Sequence, residues 1–239
     1  MNQNTDLKFE ERKTCYIYQA PQSSEEWMSA RYGAITASSI SEICDRSFFN
    51  VKKSPQELAL TICGLTQNSY CNNLSVALQD GILGEKYIRE WFSTDILKTP
   101  INEVGIALWK QDPFFRASLD GEALYNEEDI AIEIKIPGKI NKKLIDVFHS
   151  WSKKLNNPHP DSYIFRSHYD QMTAQCVITG KTGCYYVVAC INDGTSFYQF
   201  IDTDYDLWNN VLFPKAKKFH TQYVLPVIKQ YDINVVMPQ

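Results

Sequence analysis

The sequence predicts a mixed α/β fold, α+β in character, and three observations carry that expectation. Helix signals occupy residues 23–94, strand patterns of period two dominate 103–136, and a helix, a hairpin and a closing helix follow. No internal repeat, low-complexity segment or linker interrupts the chain, so residues 1–239 are expected to form a single domain with ample length for a core.

After a polar start, Ser23-Ser24-Glu25-Glu26-Trp27 reads as a helix N-terminus, with a hydroxyl cap and acids in the first turn. That helix should run to Tyr32 and stop at Gly33. A second helix begins after Thr36-Ala37-Ser38-Ser39 and carries Ile40 and Ile43 inward. Ser54-Pro55-Gln56-Glu57 is a capping pattern with proline at the first helical position, opening a helix over 54–66. From Val76 to Thr94, Leu78, Ile82, Leu83, Tyr87, Ile88, Trp91 and Phe92 recur near the helical period, giving a long amphipathic helix that carries Glu85. Strands are expected at 103–109, 114–119 and 130–136. Pro137-Gly138 ends the last of these; Lys142 to Lys153 reads as helical and Asn156-Asn157-Pro158-His159-Pro160 as a loop. Tyr163 to Thr179 reads as a helix bearing Gln171 and Gln175. Asn192-Asp193-Gly194 is a hairpin turn between strands at 184–191 and 195–201, and a helix from Trp208 to Tyr223 closes the fold.

Composition bounds the chemistry. Hydrophobic residues at 44% and charged residues at 22% are ordinary for a globular chain. Seven irregularly spaced cysteines without a Cys-x-x-Cys pair argue against a zinc ribbon or disulfide framework and suit free thiols in a reducing cytosol. With no leader-like or long apolar run, the chain reads as cytoplasmic and not membrane-inserted. A net charge of -4 does not advertise nucleic-acid binding. Lys139, Lys142, Lys143, Lys153, Lys154, Lys215, Lys217 and Lys218 nonetheless form local basic runs, read either as solvated faces or as a track for DNA.

The most informative stretch is Asp120-Gly121 followed, after eleven residues, by Glu133-Ile134-Lys135. Isoleucine at 130, 132, 134 and 136 gives a strand one apolar face, leaving Glu133 and Lys135 side by side on the other. A Glu-x-Lys pair on a wet strand face is ordinarily a solvated ion pair. Turn chemistry at Gly121 and Asn126-Glu127-Glu128-Asp129 would instead fold the strand ending at Asp120 back as a hairpin, setting one carboxylate opposite another. Two carboxylates so placed make a hard-oxygen site for Mg²⁺, with the lysine beside it.

Four separated segments together resemble the phage lambda exonuclease and YqaJ-type viral recombinase family. Trp27 to Ser38, read as Trp-x3-Arg-x-Gly-x-Ile-Thr-Ala-Ser, is similar to the family's opening motif, and Gly81-Ile82-Leu83-Gly84-Glu85 to its Gly-x3-Glu helix. Ser118-Leu119-Asp120-Gly121 with Glu133-Ile134-Lys135 resembles its Asp and Glu-x-Lys core, and His168-Tyr169-Asp170-Gln171 its later glutamine helix. The likeness spans about residues 24–201; Leu119 stands where the fold's name has proline. It implies a PD-(D/E)xK restriction-endonuclease-like core, a central mixed sheet flanked by helices.

The resemblance also implies a nuclease. Glu85, Asp120 and Glu133 would be metal-ligating carboxylates joined by the Ile134 carbonyl, with Mg²⁺ as cofactor and Mn²⁺ as substitute. Lys135 would position the attacking water or lower its pKa, and Gln171 would orient Lys135 or that water. Arg31 and Ser38 look like phosphate binders. Trp27, Tyr32 and Tyr169 are open to two readings, base stacking or core. The activity implied is 5′→3′ exonuclease action on duplex DNA ends, in a phage or other viral setting, with a single-strand annealing protein as partner and a trimer as oligomer. An iron–sulfur branch of the fold uses four cysteines whose spacing this chain lacks, so no cluster is expected. The alternatives are an endonuclease of the same fold and a non-catalytic DNA-binding or inhibitory protein on a nuclease scaffold.

Overall fold

Among the described residues of the computed structural model, nine strands form two mixed sheets flanked by helices. The description covers residues 9–47, 53–66, 76–136, 164–190 and 194–238, with side chains of the first long helix from Gly84 onward. The expectations for residues 137–162, including the lysines there, lie outside it, as do Asn192, Asp193 and the side chains of Leu78, Ile82 and Leu83.

The first sheet holds β1 (Phe9–Glu11), β2 (Cys15–Tyr18), β3 (Ile35–Thr36), β4 (Ile106–Trp109) and β5 (Phe115–Ala117). Its order is β1-β2-β4-β5-β3, antiparallel except where β5 meets β3. The second holds β6 (Gly121–Tyr125), β7 (Glu128–Lys135), β8 (Gly183–Cys190) and β9 (Thr195–Asp202) in that order, with β7 and β8 parallel.

The helices begin with α1 (Glu25–Ser29), capped as expected by Ser24, whose Oγ accepts from the Trp27 N–H at 3.1 Å. Next come α2 (Ile40–Ile43) and α3 (Pro55–Ile62), the latter opened by the anticipated Ser54–Glu57 capping box. Then follow α4 (Val76–Trp91) and α5 (Arg166–Thr179), the latter stopped by Gly180 at φ +72°. At the end, α6 (Tyr205–Leu207), α7 (Phe213–Phe219) and α8 (Leu225–Tyr231) run on through π-type turns at Trp208–Leu212 and His220–Val224. The helical run thus passes Tyr223: Pro226 argues for a stop in sequence, but it lies in the first turn of α8, just after a widened turn.

Two strand expectations change. The polar start contains the β1–β2 hairpin, tied to the second sheet by Arg12, which donates to both Glu122 oxygens at 2.9 and 2.8 Å. Strand β5 does not pair with β7; the hairpin partner of β7 is β6, around Asn126 and Glu127 at φ +51° and +66°. Asp120 therefore stands where the chain crosses from one sheet to the other.

Strand β7 is covered on both faces. Ile130, Ile132 and Ile134 pack on Ile88 and Phe92, while Ala131 faces Tyr169, Met172 and Cys176 of α5. Helix α5 touches the first sheet too, through Ala174, Val177 and Ile178 beside Cys15, Ile17 and Phe115. Being wedged between sheets, it is buried almost all round. Its Asp170, with no exposed surface, takes two hydrogen bonds from Arg46 at 2.8 and 2.9 Å. His168 meets the Tyr186 hydroxyl at 2.8 Å, and burial, aided by the Lys135 charge, pushes its pKa down to about 3.

Replacing Asp170 by Ala strands the Arg46 guanidinium and should cost roughly 3–5 kcal/mol in chemical denaturation; a loss within error of zero would show the pair to be ornamental. For His168, the unfolded chain takes up a proton below about pH 6.5 whereas the folded chain resists until about pH 3, so its contribution to stability is complete above 6.5 and is lost as pH falls. Denaturation of wild type should therefore weaken more steeply than that of His168→Gln between pH 6.5 and 5, and parallel curves would contradict this.

Candidate active site

The crossing segment Ser118-Leu119-Asp120 delivers Asp120 against β7, where one carboxylate oxygen accepts from the Ile134 N–H at 2.7 Å. On the opposite face of β7, the adjacent Glu133 has 0% exposure. The wet strand face that the sequence suggests is absent, because α5 covers it. One Glu133 oxygen accepts from Lys135 Nζ and from Gln171 Nε2, the latter at 2.7 Å; the other accepts from Gln175 Nε2 at 2.6 Å. Gln175 also donates to the Ser118 carbonyl at 2.8 Å. Glu85, on α4, accepts from Arg89 at 3.4 Å, and the same Arg89 nitrogen donates to the Asp120 carbonyl at 2.6 Å. The second guanidinium nitrogen bonds Glu103.

The charges feel one another. Burial, then the Glu133 charge, raises the Asp120 carboxyl well above its usual range. Burial raises Glu85 as well, opposed by Arg89 and reinforced by Glu133. For Lys135, burial works downward, but Glu133, Asp120 and Glu85 outweigh it and the net direction is up. The acids thus favour the ammonium form of the lysine. Among the described residues no three His, Cys, Asp or Glu side chains already close around one point as a ligand cage. The donor set still fits a hard divalent ion: three carboxylates interact in a poorly solvated site, and burial together with the Glu133 charge pushes Glu85 and Asp120 toward protonation.

The second expected cluster lies on the loop from α1 to β3. Arg31 donates to Ser38 Oγ at 3.2 Å, Ser38 Oγ meets Thr36 Oγ1 at 3.1 Å, and the guanidinium lies 4.3 Å from the Trp27 ring centroid. Burial lowers the Arg31 pKa to about 10, and among the described residues no carboxylate pairs with it. The loop is fixed from beneath by buried Arg116, which donates to the Ala30 and Val236 carbonyls and, at 3.1 Å, to that of Pro113. Gly33, at φ +71°, lets Ile228 and Val235 close to within 2.9 Å of where a Cβ would stand. The turn at Ala37–Ser39 packs on α5, the helix that carries Gln171 and Gln175.

Of the aromatic residues left open between stacking and core, Tyr169 is buried and bonds Asp204 at 3.1 Å, Trp27 pairs with Arg31, and Tyr32 is exposed. Lys217 pairs with Asp112. Sequence reasoning gave no role to Gln175, Arg89 or Glu103. Gln175 was within reach, since it follows Gln171 by four residues and so shares its helix face.

A family model described as the YqaJ-like viral recombinase domain matches residues 26–182. Among solved structures, an alkaline exonuclease (LHK-Exo) from Laribacter hongkongensis superposes with a TM-score of 0.63 at 21% identity, covering 87% of this chain and 96% of that one. LHK-Exo in complex with dAMP gives the same TM-score and identity, with 98% of that chain covered. Among curated protein sequences, none matches. With the family model spanning well over half its length and the fold shared with an alkaline exonuclease of the PD-(D/E)xK type, this chain belongs to the YqaJ-like viral recombinase domain family.

Proposed function

We propose that the chain is a Mg²⁺-dependent deoxyribonuclease, a 5′→3′ exonuclease that resects linear duplex DNA ends for recombination. The observation that carries this reading is the buried Glu133, shared by Lys135 and Gln171 and electrostatically joined to Asp120 and Glu85. Charges so grouped are costly to a fold and are retained where chemistry uses them. A solvated ion pair would leave Glu133 in water.

Glu85, Asp120, Glu133 and the Ile134 carbonyl would hold the ion, Mg²⁺ or Mn²⁺ in its place. When bound, the cation supplies Lewis acidity and charge neutralisation at the scissile phosphate. Lys135, as an ammonium, donates to the attacking water and fixes its approach, while Gln171 holds the Glu133 carboxylate in register. Arg31 and Ser38 present guanidinium and hydroxyl donors to a terminal 5′ phosphate, anchoring a strand end beside α5. That LHK-Exo forms a complex with dAMP supports the reading of DNA as the substrate here. A single-strand annealing partner and a trimeric assembly accompany the proposal as what the family resemblance implies, and action in a host cytoplasm as what the free cysteines suit. Among the described residues no helix is long and apolar enough to cross a membrane.

End-labelled duplexes with and without a 5′ phosphate, and a covalently closed circle, test the assignment in Mg²⁺. Degradation of the linear phosphorylated duplex from its 5′ ends with the circle intact is expected; cutting of the circle would reassign the protein as an endonuclease. Lys135→Ala should abolish cleavage with an unchanged circular-dichroism spectrum, and retained activity would remove Lys135 from the mechanism. Arg31→Met should lower kcat/KM on the 5′-phosphorylated end by about 1.5–3 kcal/mol, on the order of ten- to a hundredfold. Equal loss on both ends would deny Arg31 a role in phosphate recognition.

A further inference from the structure

Segment 118–120 belongs to neither sheet, so its carbonyls lack ladder partners, and two of them are taken by side chains. Gln175 Nε2 donates to the Ser118 carbonyl at 2.8 Å and to Glu133 at 2.6 Å. Arg89 Nη1 donates to the Asp120 carbonyl at 2.6 Å and to Glu85 at 3.4 Å. Each side chain thus grips the same three-residue segment with one bond and an acidic side chain with another. Asp120 closes the set by accepting from the Ile134 N–H at 2.7 Å.

We propose that Arg89 and Gln175 are paired positioning residues that index all three carboxylates to the Ser118–Asp120 crossing. This rests on the metal-site reading and adds what sets the spacing of the ligands. The two clamps come from opposite sides, Arg89 from α4 and Gln175 from α5. They act where covalent structure does not, since Glu85, Asp120 and Glu133 lie on three separate elements.

The local chemistry favours this arrangement over mere packing. Gln175 is fully buried and both its bonds leave from the amide nitrogen, while its Oε1 has no partner among the described residues. Flipping the amide would set Oε1 against the Glu133 carboxylate, so the nitrogen is held toward the acid. Arg89 is braced by Glu103 through its other nitrogen. Gly121 lies beside it: a Cβ there would meet Arg89 Cδ at an ordinary 3.4 Å and would be excluded by Ile101 Cγ2 at 2.4 Å. Lysine at 89 would keep the charge but lose the planar fork that reaches two acids and a carbonyl together.

Calorimetric titration of Mn²⁺ into the full chain tests the proposal, with wild type, Asp120→Asn, Gln175→Met and Arg89→Lys compared. Both clamp variants should bind Mn²⁺ roughly 10- to 100-fold more weakly. Their cleavage should recover as Mn²⁺ is raised, with the KM for DNA ends unchanged, whereas Asp120→Asn should bind Mn²⁺ far more weakly still and not recover. Clamp variants that titrate like wild type while Asp120→Asn does not would overturn the positioning role and leave the metal site standing. Equal titration of wild type and Asp120→Asn would overturn the metal-site reading itself. If Gln175→Met does not fold, Gln175→Asn, with the same amide one methylene short, takes its place under the same criteria.

Discussion

A carboxylate with no exposed surface must be answered by donors from within the protein, and in this chain the carboxylate of Glu133 imposes that requirement on everything around it. Lys135 answers from the same strand, Gln171 and Gln175 from α5. For the glutamines to reach, α5 must lie flat on β7 with its polar residues turned inward. For that face to be dry, the helix must be closed over by the first sheet. The isoleucines on the far side then need α4, which brings Glu85 and Arg89 to the same place. The architecture of two sheets around one buried helix is what a solvent-free Glu133 demands.

The same helix joins the two candidate clusters. On one side it supplies the amides that hold Glu133; on another it supports the turn at Ala37–Ser39, next to the Arg31 guanidinium. The two clusters differ in charge balance: Arg31 lacks a described carboxylate partner, whereas the acidic group has more carboxylates than cations. On the proposed function, a phosphodiester end would satisfy the first and a divalent ion the second. Electrostatic deficits of opposite sign, held on one rigid support, are a preorganised arrangement for binding a phosphate and attacking its neighbour.

Much of this was legible in the residues. Alternating isoleucines fixed the strand and the side-by-side placement of Glu133 and Lys135, and Ser54-Pro55-Gln56-Glu57 announced a helix that begins where the capping chemistry says. What escaped was tertiary. Periodicity marks one face of β7 as apolar but says nothing of what covers the other, so Glu133 reads as wet until α5 is placed on it. The turn signals between 119 and 130 suggested one hairpin, yet they conceal a strand and a change of sheet, because a short strand such as Gly121–Tyr125 is too brief to declare a period. Arg89 resembles any helix-surface cation until its two acids and a carbonyl are seen together. The first hairpin hid in a polar stretch since its edge strand carries charges, as edges do.

The most direct test of the central claim is the position of an ion. Crystals grown with Mn²⁺ and measured at its absorption edge should give an anomalous peak bounded by the carboxylates of Glu85, Asp120 and Glu133. A peak elsewhere, or the same peak undiminished in a Glu133→Gln crystal, would contradict the account.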